Sequence, residues 1–336
     1  MATMAEVAAL AGVTKQTVSN VVSGKKVRPD TAAKVNAAIA QLGYKPNLLA
    51  RSLATGATMT VGLFVPVVAN PFYSELVEEV ENVLVRHGYN LLLATTRDDG
   101  EYTRRHLDIL TRRSVDALLV AGDAGVIEQL PTLATAPFPV VLFAWEVDPP
   151  DTLPVVSIDY EHAGFLAGRH LRELGHEKVV VVAVLPAHTR RIDGLRRAFA
   201  ADGLTIGDDM IFARTTDDPA GGFAGADAAL AAHPDATALF ATHDILALGA
   251  LQAVQESGRR VPEDMSVVGF DDIAQVGRTH PAMTTVAVPK REMAQQAVEL
   301  LLRSLEAERP PTNVVSLLRP TLVVRDSSAP PPRSGD

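Results

Sequence analysis

Residues 7–20 read VAALAGVTKQTVSN, and their spacing predicts two short helices joined by a tight turn. Gly12 ends the first helix, because glycine readily adopts the left-handed conformation that closes a helix. Thr14 can cap the second helix, which we expect to run from Lys15 to about Val22. Two capped helices this close together are typical of a helix-turn-helix DNA-binding unit. The same hairpin could dock on another protein, and the spacing favours DNA without excluding docking.

The residues on either side of this hairpin complete a small helical domain. Thr3 and Glu6 have the spacing of a capping box, which opens the first helix. Pro29 suits the first turn of a third helix, in which apolar residues recur at helical spacing up to Gly43. We therefore predict an all-α helix-turn-helix headpiece over residues 1–45.

The positive charge of the chain is concentrated in its first part. Residues 1–57 carry seven basic side chains and two acids, a net charge of +5, whereas the whole chain carries −9 and its remainder therefore −14. A basic headpiece gains free energy by releasing counterions from DNA phosphates, while an acidic body is repelled by them. Charge alone also fits a solvated basic surface, so it supports DNA binding only together with the helix pattern.

Composition and motifs exclude several classes of function. The chain has 336 residues and no cysteine, which excludes disulfides, thiolate nucleophiles and cysteine-based zinc sites. Its first residues lack the segments of a signal peptide and no apolar run is long enough to span a membrane, so we expect a soluble, cytoplasmic protein. The G-x-S-x-G, P-loop and H-E-x-x-H motifs are missing. We expect no enzymatic activity, no cofactor and no bound metal.

From Thr60 onward, short apolar runs alternate with helical patterns. Uninterrupted apolar strands joined by crossover helices predict parallel sheets covered on both faces. The segment is too long for one comfortable core, so two lobes are expected. The predicted strands are 61–65, 91–95, 117–121, 140–143, 155–158, 179–184, 238–241 and 266–269. The proline- and serine-rich tail, residues 327–336, is expected to be disordered.

Several further motifs follow the helix-turn-helix segment in a fixed order. They are LGYKPN (42–47), ARSL (50–53), VGL (61–63), NPFY (70–73), VPEDMSVVGFDD (261–272) and TTV (284–286). Each motif alone would be weak evidence, but their order over most of the chain makes coincidence a poor explanation. Together with residues 7–20, they resemble the signatures of the LacI/GalR (lactose-repressor) family of transcriptional regulators.

The resemblance implies an α/β core of the periplasmic-binding-protein type, with two Rossmann-like lobes that each contain a parallel sheet. A hinge helix or linker over residues 46–57 would join the headpiece to this core, which would occupy residues 58–326. Crossovers near residues 157, 287 and 317 would divide the core into an N-lobe (58–157 and 287–316) and a C-lobe (158–286 and 317–326).

The second helix carries the residues that the resemblance assigns to base recognition. Lys15, Gln16 and Asn20 match the base-reading positions, and their side chains suit guanine or adenine edges in the major groove. The family more often has arginine at the position of Asn20, so this chain should prefer a different operator base. The candidate phosphate contacts are Thr14, Thr17, Ser19, Lys25 and Arg28. For Thr14, helix capping alone is an equally good explanation.

The hinge contributes a second set of expected DNA contacts. By resemblance, Leu53 is an apolar wedge that enters the minor groove and kinks the duplex, with Asn47, Ala50 and Arg51 alongside it. An isolated helix this short is marginal in water, so we expect it to fold only on DNA. The alternative is that Leu53 packs beneath the core.

The expected effector site lies between the lobes, because ligands of open parallel sheets bind at the carboxyl ends of the strands. By resemblance, Arg191 donates to ligand oxygens and Asp271 accepts from ligand hydroxyls, while His243 replaces the family's usual amide. The aromatic candidates are Phe72, Tyr73 and Trp145, for each of which core packing is the alternative. Asp217 falls where several relatives have a ring-stacking aromatic residue. We expect a polar pocket that takes a sugar or similar metabolite ahead of a nucleobase.

These expectations combine into one function. The chain should be a sequence-specific DNA-binding regulator, with repression favoured, that binds double-stranded DNA under the control of a small-molecule effector. One headpiece reads too few bases, so a homodimer on a pseudo-palindromic operator is expected. The alternatives are a solute-binding receptor and a sugar-modifying enzyme on the same scaffold, and the headpiece argues against both.

Overall fold

The computed structural model describes residues 2–22, 26–44, 57–97, 99–110, 114–122, 125–214, 216–307 and 312–332. The chain divides into two compact units, Met1–Met59 and Thr60–Asp336. Within the described ranges, no helix is both long and apolar enough to cross a membrane.

The described residues of the first unit form three helices in the predicted arrangement. They are α1 (Met4–Ala11), α2 (Lys15–Val22) and α3 (Pro29–Leu42). The capping box at the start of α1 is formed, because the Glu6 amide donates to Thr3 Oγ1 and the Thr3 amide donates to the Glu6 carboxylate. Gly12 closes α1 with a φ of 65°, the left-handed conformation expected of glycine there.

One small core holds these helices together. Val7 from α1, Val18 from α2 and Val35 from α3 are fully buried, and Ala38 and Tyr44 pack with them. Within α2, Lys15 and Gln16 are exposed and Val18 is buried. The helix-turn-helix prediction is confirmed.

The second unit consists of two lobes, each built around a six-stranded sheet. The strands are β1 (Thr60–Val65), β2 (Asn90–Thr95), β3 (Ala117–Ala121), β4 (Val140–Phe143), β5 (Val155–Ile158), β6 (Val179–Val184), β7 (Ile211–Arg214), β8 (Ala238–Ala241), β9 (Ser266–Asp271), β10 (Thr284–Ala287), β11 (Val315–Leu318) and β12 (Thr321–Val323). The strand order of the N-lobe sheet is β11-β5-β4-β3-β1-β2, and that of the C-lobe sheet is β12-β10-β9-β8-β6-β7. All pairs are parallel except β10 with β12.

Helices alternate with these strands and cover the sheets, as the apolar character of the strands requires. They are α4 (Pro71–Arg86), α5 (Gly100–Leu110), α6 (Leu130–Ala134), α7 (Tyr160–Leu174), α8 (Thr189–Ala200), α9 (Pro219–Ala232), α10 (Asp244–Glu256) and α11 (Lys290–Glu306). Helix α11 packs on α4 in the N-lobe. The chain passes between the lobes after Ile158, after Ala287 and after Leu318.

The tail differs from the sequence-based expectation. Ser327 is fully buried and bonded to the backbone of Val267, so the tail continues the hydrogen bonding of β9. Ser328 Oγ lies 2.8 Å from His170 Nε2, and the Ala329 carbonyl lies 2.9 Å from His176 Nε2. The prediction of disorder is therefore wrong for residues 327–332, because these residues find specific partners that composition does not reveal.

Candidate functional site

Helix α2 presents the predicted base-reading side chains on its outer side. Lys15 and Gln16 are exposed, and Asn20 is half-buried. Gln16 Nε2 donates to Asn20 Oδ1 over 3.1 Å, one helical turn away. The two amides therefore hold each other in place on one face of the helix, which gives α2 a paired set of donors and acceptors.

The hydroxyl groups at the start of α2 serve the helix itself. Thr14 Oγ1 accepts from the Thr17 amide over 3.2 Å and lies 2.9 Å from Thr17 Oγ1. Thr14 thus caps α2, which was one of its two expected roles. Ser19 is half-buried and Arg28 is exposed. The remaining predicted DNA contacts, Lys25 and the hinge residues Asn47, Ala50, Arg51 and Leu53, lie outside the described residues.

In the second unit, an arginine from the C-lobe is paired with a glutamate from the N-lobe. Arg191 Nη2 donates to Glu146 Oε2 over 2.7 Å, and Arg191 Nε donates to the same oxygen over 3.0 Å. Arg191 Nη1 donates to the Thr242 carbonyl. Both side chains of the pair are buried, with 5% and 7% exposure. The pair therefore links the two lobes across a closed cleft.

Close helix packing fixes the position of this arginine. Gly164 in α7 and Gly194 in α8 lie where the two helices touch, and a Cβ at Gly164 would come within 1.9 Å of the Arg191 carbonyl. The Arg191 guanidinium lies 4.1 Å from the Phe270 ring centroid and 4.9 Å from that of Tyr160. These aromatic faces stabilise a buried cation and restrict the orientation of the planar guanidinium.

Asp271 has the most unusual environment in the cleft. It ends β9 with a φ of 118°, a conformation that costs a non-glycine residue about 1–3 kcal/mol. Its carboxylate is buried, and Oδ2 has no hydrogen-bond partner among the described residues. Burial raises the pKa of Asp271, although the positive charges of His243, Arg191 and Lys290 oppose the rise. A strained, buried carboxylate with a free oxygen is a group prepared to accept a hydrogen bond from a ligand.

His243 forms a second link between the lobes. Its Nδ1 lies 2.8 Å from Asp217 Oδ1, and Asp217 Oδ2 accepts from Asn70 Nδ2 of the N-lobe over 3.1 Å. Burial opposes the protonation of His243, but the carboxylates of Asp217 and Asp271 raise its pKa overall. Burial alone would raise the pKa of Asp217, and His243 lowers it instead. Asp217 is therefore the charged partner of His243.

Two further buried groups complete this part of the cleft. His188 follows β6, and its Nδ1 lies 2.7 Å from Thr242 Oγ1. Asp244 accepts from Thr285 Oγ1 over 2.7 Å and from the Ile273 amide over 2.9 Å, so it holds the loop that follows Asp271. Burial and the neighbouring Asp271 raise the pKa of Asp244 to about 8.

The aromatic candidates are placed differently from one another. Phe72 is buried in the N-lobe core, edge-on to half-buried Tyr73, and its ring centroid lies 5.9 Å from Lys290 Nζ. Lys290 also donates to the Asp271 carbonyl over 2.8 Å. The same amine is therefore near both Asp271 and the Phe72 ring, which places Phe72 at the margin of the cleft. Trp145 packs in an apolar cluster with Leu142 and Val155 on the N-lobe sheet. The structure thus places Trp145 in the core, the alternative left open by the sequence.

The structure brings Arg191, His243 and Asp271 together, since the charges of Arg191 and Asp271 act on each other and on His243. It adds three cleft residues that the sequence analysis did not single out, namely Asn70, Glu146 and His188. Each lies three to five residues after the end of a strand, and this position is the sequence signal that could have identified them. The cleft is polar and is lined by donors and acceptors from both lobes.

Comparison with known proteins agrees with this architecture. Residues 3–47 match the profile of bacterial regulatory proteins of the lacI family, and residues 169–328 match a periplasmic binding protein-like domain. The chain is 34% identical over 334 residues to the HTH-type transcriptional repressor PurR of Haemophilus influenzae (strain PittEE), covering 97% of this chain and 98% of that protein.

Solved structures of transcriptional regulators resemble the chain over nearly its whole length. A transcriptional regulator CelR–cellobiose complex is 32% identical with a TM-score of 0.73, covering 97% of this chain and all of that one. The Lac repressor dimer bound to operator and the anti-inducer ONPF is 25% identical with a TM-score of 0.85, covering 98% and 99%. With its helix-turn-helix unit, its two-lobed core and relatives of this similarity over nearly its whole length, the chain belongs to the lacI family of bacterial regulatory proteins.

Proposed function

We propose that this chain represses transcription by binding a pseudo-palindromic operator as a homodimer, and that a small polar metabolite in the interlobe cleft controls its affinity for DNA. Its family makes it a DNA-binding, effector-controlled regulator rather than an enzyme. A repressor acts where the chromosome lies, so we place it in the cytoplasm.

The DNA contacts follow from the outer face of α2. Lys15 and Gln16 are exposed there, and Asn20 lies one turn further along, so the three side chains can reach base edges in one major groove. We assign phosphate contacts to Thr17, Ser19, Lys25 and Arg28 and leave Thr14 mainly the role of a helix cap. By family resemblance, Asn47, Ala50, Arg51 and Leu53 contact the minor groove.

The observation that carries the effector assignment is Oδ2 of Asp271, which accepts no hydrogen bond from any described residue. A buried acceptor without a partner costs about 1–3 kcal/mol, so the site gains when a ligand supplies a donor. Arg191 and His243 lie beside it, and Phe72 lies at the cleft margin with Tyr73. A hydroxyl-rich metabolite fits these groups, and the cellobiose in the CelR complex supports a sugar-like effector.

The cleft also provides a route from ligand to DNA. The contacts of Glu146 with Arg191 and of Asn70 with Asp217 join opposite lobes, so a ligand seated between them changes the free energy of lobe closure. That change is coupled to operator affinity by linkage, and such couplings are typically about 1–3 kcal/mol in either direction.

A selection from genomic DNA, combined with a metabolite screen, tests this function. The full-length protein should retain a small set of duplex fragments sharing a pseudo-palindrome, at a salt concentration that removes sequence-independent binding. A metabolite that raises the melting temperature should also change retention of those fragments. A protein that binds a sugar but retains no specific duplex would instead be a receptor, and turnover of that sugar would make it an enzyme.

A further inference from the structure

The donor fork of Arg191 is already occupied by a carboxylate of the protein itself. Glu146 receives both Nε and Nη2, and the Thr242 carbonyl receives Nη1. Nε reaches both Glu146 oxygens, at 3.2 and 3.0 Å, so the pair is close to the side-on arrangement with which arginine recognises free carboxylates and phosphates. Glu146 therefore stands where the anionic group of a ligand would bind.

Around the Arg191 guanidinium, acidic side chains already outnumber basic ones. The buried or half-buried carboxyl groups that surround the cleft belong to Glu75, Glu146, Asp217, Asp244 and Asp271. The basic side chains that face them belong to Arg191, His243 and Lys290. An additional anion would enter a site that has no spare positive charge among these groups, and burying an unpaired charge is strongly unfavourable.

A neutral ligand meets no such obstacle. Its hydroxyl groups can donate to the free oxygen of Asp271 and leave the pair between Arg191 and Glu146 intact. An anionic metabolite would have to displace Glu146, which is held at high effective concentration because it belongs to the same chain. The displaced carboxylate would then need a new partner within a buried site.

We infer that Glu146 is a specificity-determining residue that acts as a tethered anion: it occupies the Arg191 fork and excludes phosphorylated and carboxylated metabolites, so the effector is an uncharged, hydroxyl-rich molecule. This inference rests on the proposed function only in taking the interlobe cleft as the effector site. It goes further by assigning a residue to the choice between charged and neutral ligands.

Removing the tethered carboxylate should create an anion site, and inorganic phosphate is the probe. We compare the full-length wild type with Glu146→Ala by thermal shift and calorimetric titration, with sodium chloride keeping the ionic strength constant. The variant should bind phosphate saturably and at least about tenfold more tightly than the wild type, which corresponds to about 1.4 kcal/mol. Formate, which replaces the missing carboxylate, should raise the melting temperature of the variant and leave that of the wild type unchanged.

Two controls separate specificity from structure. Glu146→Ala combined with Arg191→Met should lose the phosphate site, because the fork itself is gone. Asp148→Ala removes the exposed neighbouring interlobe pair with Arg190 and should gain no phosphate binding. If Glu146→Ala does not fold, Glu146→Gln keeps the side-chain volume, removes the charge and should still bind phosphate more tightly than the wild type.

The inference is overturned if folded Glu146 variants bind phosphate no better than the wild type, because Glu146 would then be only an interlobe contact. It is also overturned if the wild type binds phosphate saturably in competition with its effector. Neither assay uses DNA, so these failures are distinct from failure of the proposed function, which the operator selection reports.

Discussion

The ring centroids of His188 and His243 lie 4.0 Å apart with the rings edge to face, and the pKa values of the two side chains are shifted in opposite directions. Burial, aided by the positive charges of His243 and Arg191, lowers the pKa of His188 well below its ordinary value. Burial has the same tendency at His243, but the carboxylates of Asp217 and Asp271 reverse it. A histidine that resists protonation and one that favours it therefore lie side by side at the junction of the two lobes.

The contribution of His243 to stability should depend on pH. Because its pKa is raised in the folded protein, this contribution is complete below about pH 6.5, the ordinary histidine value, and is lost as the pH rises through the raised pKa. The melting temperature of the wild type should therefore exceed that of His243→Gln most at low pH, with the difference shrinking as the pH increases. Asp217→Asn should lose the same pH-dependent part, and a difference that stays constant from pH 5.5 to 9 would contradict the assignment.

Replacing Asp271 by asparagine should separate ligand binding from folding. Asparagine keeps the shape, tolerates positive φ and removes a buried charge, so the ligand-free melting temperature should not fall. Stabilisation by the effector should be abolished, because the acceptor for its hydroxyl becomes a weaker, neutral amide. Asp272→Asn is the matched control, since Asp272 also has positive φ but pairs with Arg325 at 2.6 Å. Full effector response in Asp271→Asn would remove Asp271 from the site.

The sequence identified cleft residues near strand ends that also match the family resemblance. Asp271 ends β9 and His243 lies two residues after β8, and strand ends indicate a site whatever lies opposite. Glu146 and Asn70 also follow strands, but they were not singled out because their roles depend on partners in the other lobe, far along the chain. The strands β7, β10, β11 and β12 were missed for a related reason: their pairing within the sheets, rather than a local pattern, defines them.

Leu53 lies outside the described residues, and its role can be tested in solution. If Leu53 enters the minor groove beside its symmetry mate, Leu53→Ala should weaken operator binding by removing the apolar wedge, while effector affinity stays nearly unchanged. A titration of the selected operator at fixed salt measures the first effect, and thermal shift with the effector measures the second. Equal operator affinity would show that Leu53 does not take part in DNA binding.

Asn20 should determine one base pair in each half-site. It is held by Gln16 at 3.1 Å, so it is oriented before DNA arrives. Asn20→Ala should cost about 1–3 kcal/mol of discrimination at that base pair, whereas the dependence of affinity on salt should stay the same because no phosphate contact is lost. Arg28→Ala provides the contrast, with weaker binding to all duplexes and a smaller salt slope. A uniform loss across operator variants in Asn20→Ala would contradict base recognition.

Gly194 should be required for the position of Arg191. A Cβ at Gly194 would lie 1.9 Å from the Glu161 carbonyl, and because this contact is with backbone, helices α7 and α8 must move apart to accommodate it. Gly194→Ala should therefore lose at least about 1–3 kcal/mol of stability and show a lower melting temperature. Because Arg191 lies one turn earlier on the same helix, its pairing with Glu146 should weaken, and effector binding should change as well. Gly277→Ala is the matched control, since its Cβ would meet nothing closer than 3.8 Å, and equal melting temperatures for the two variants would show that the helix contact can adapt without cost.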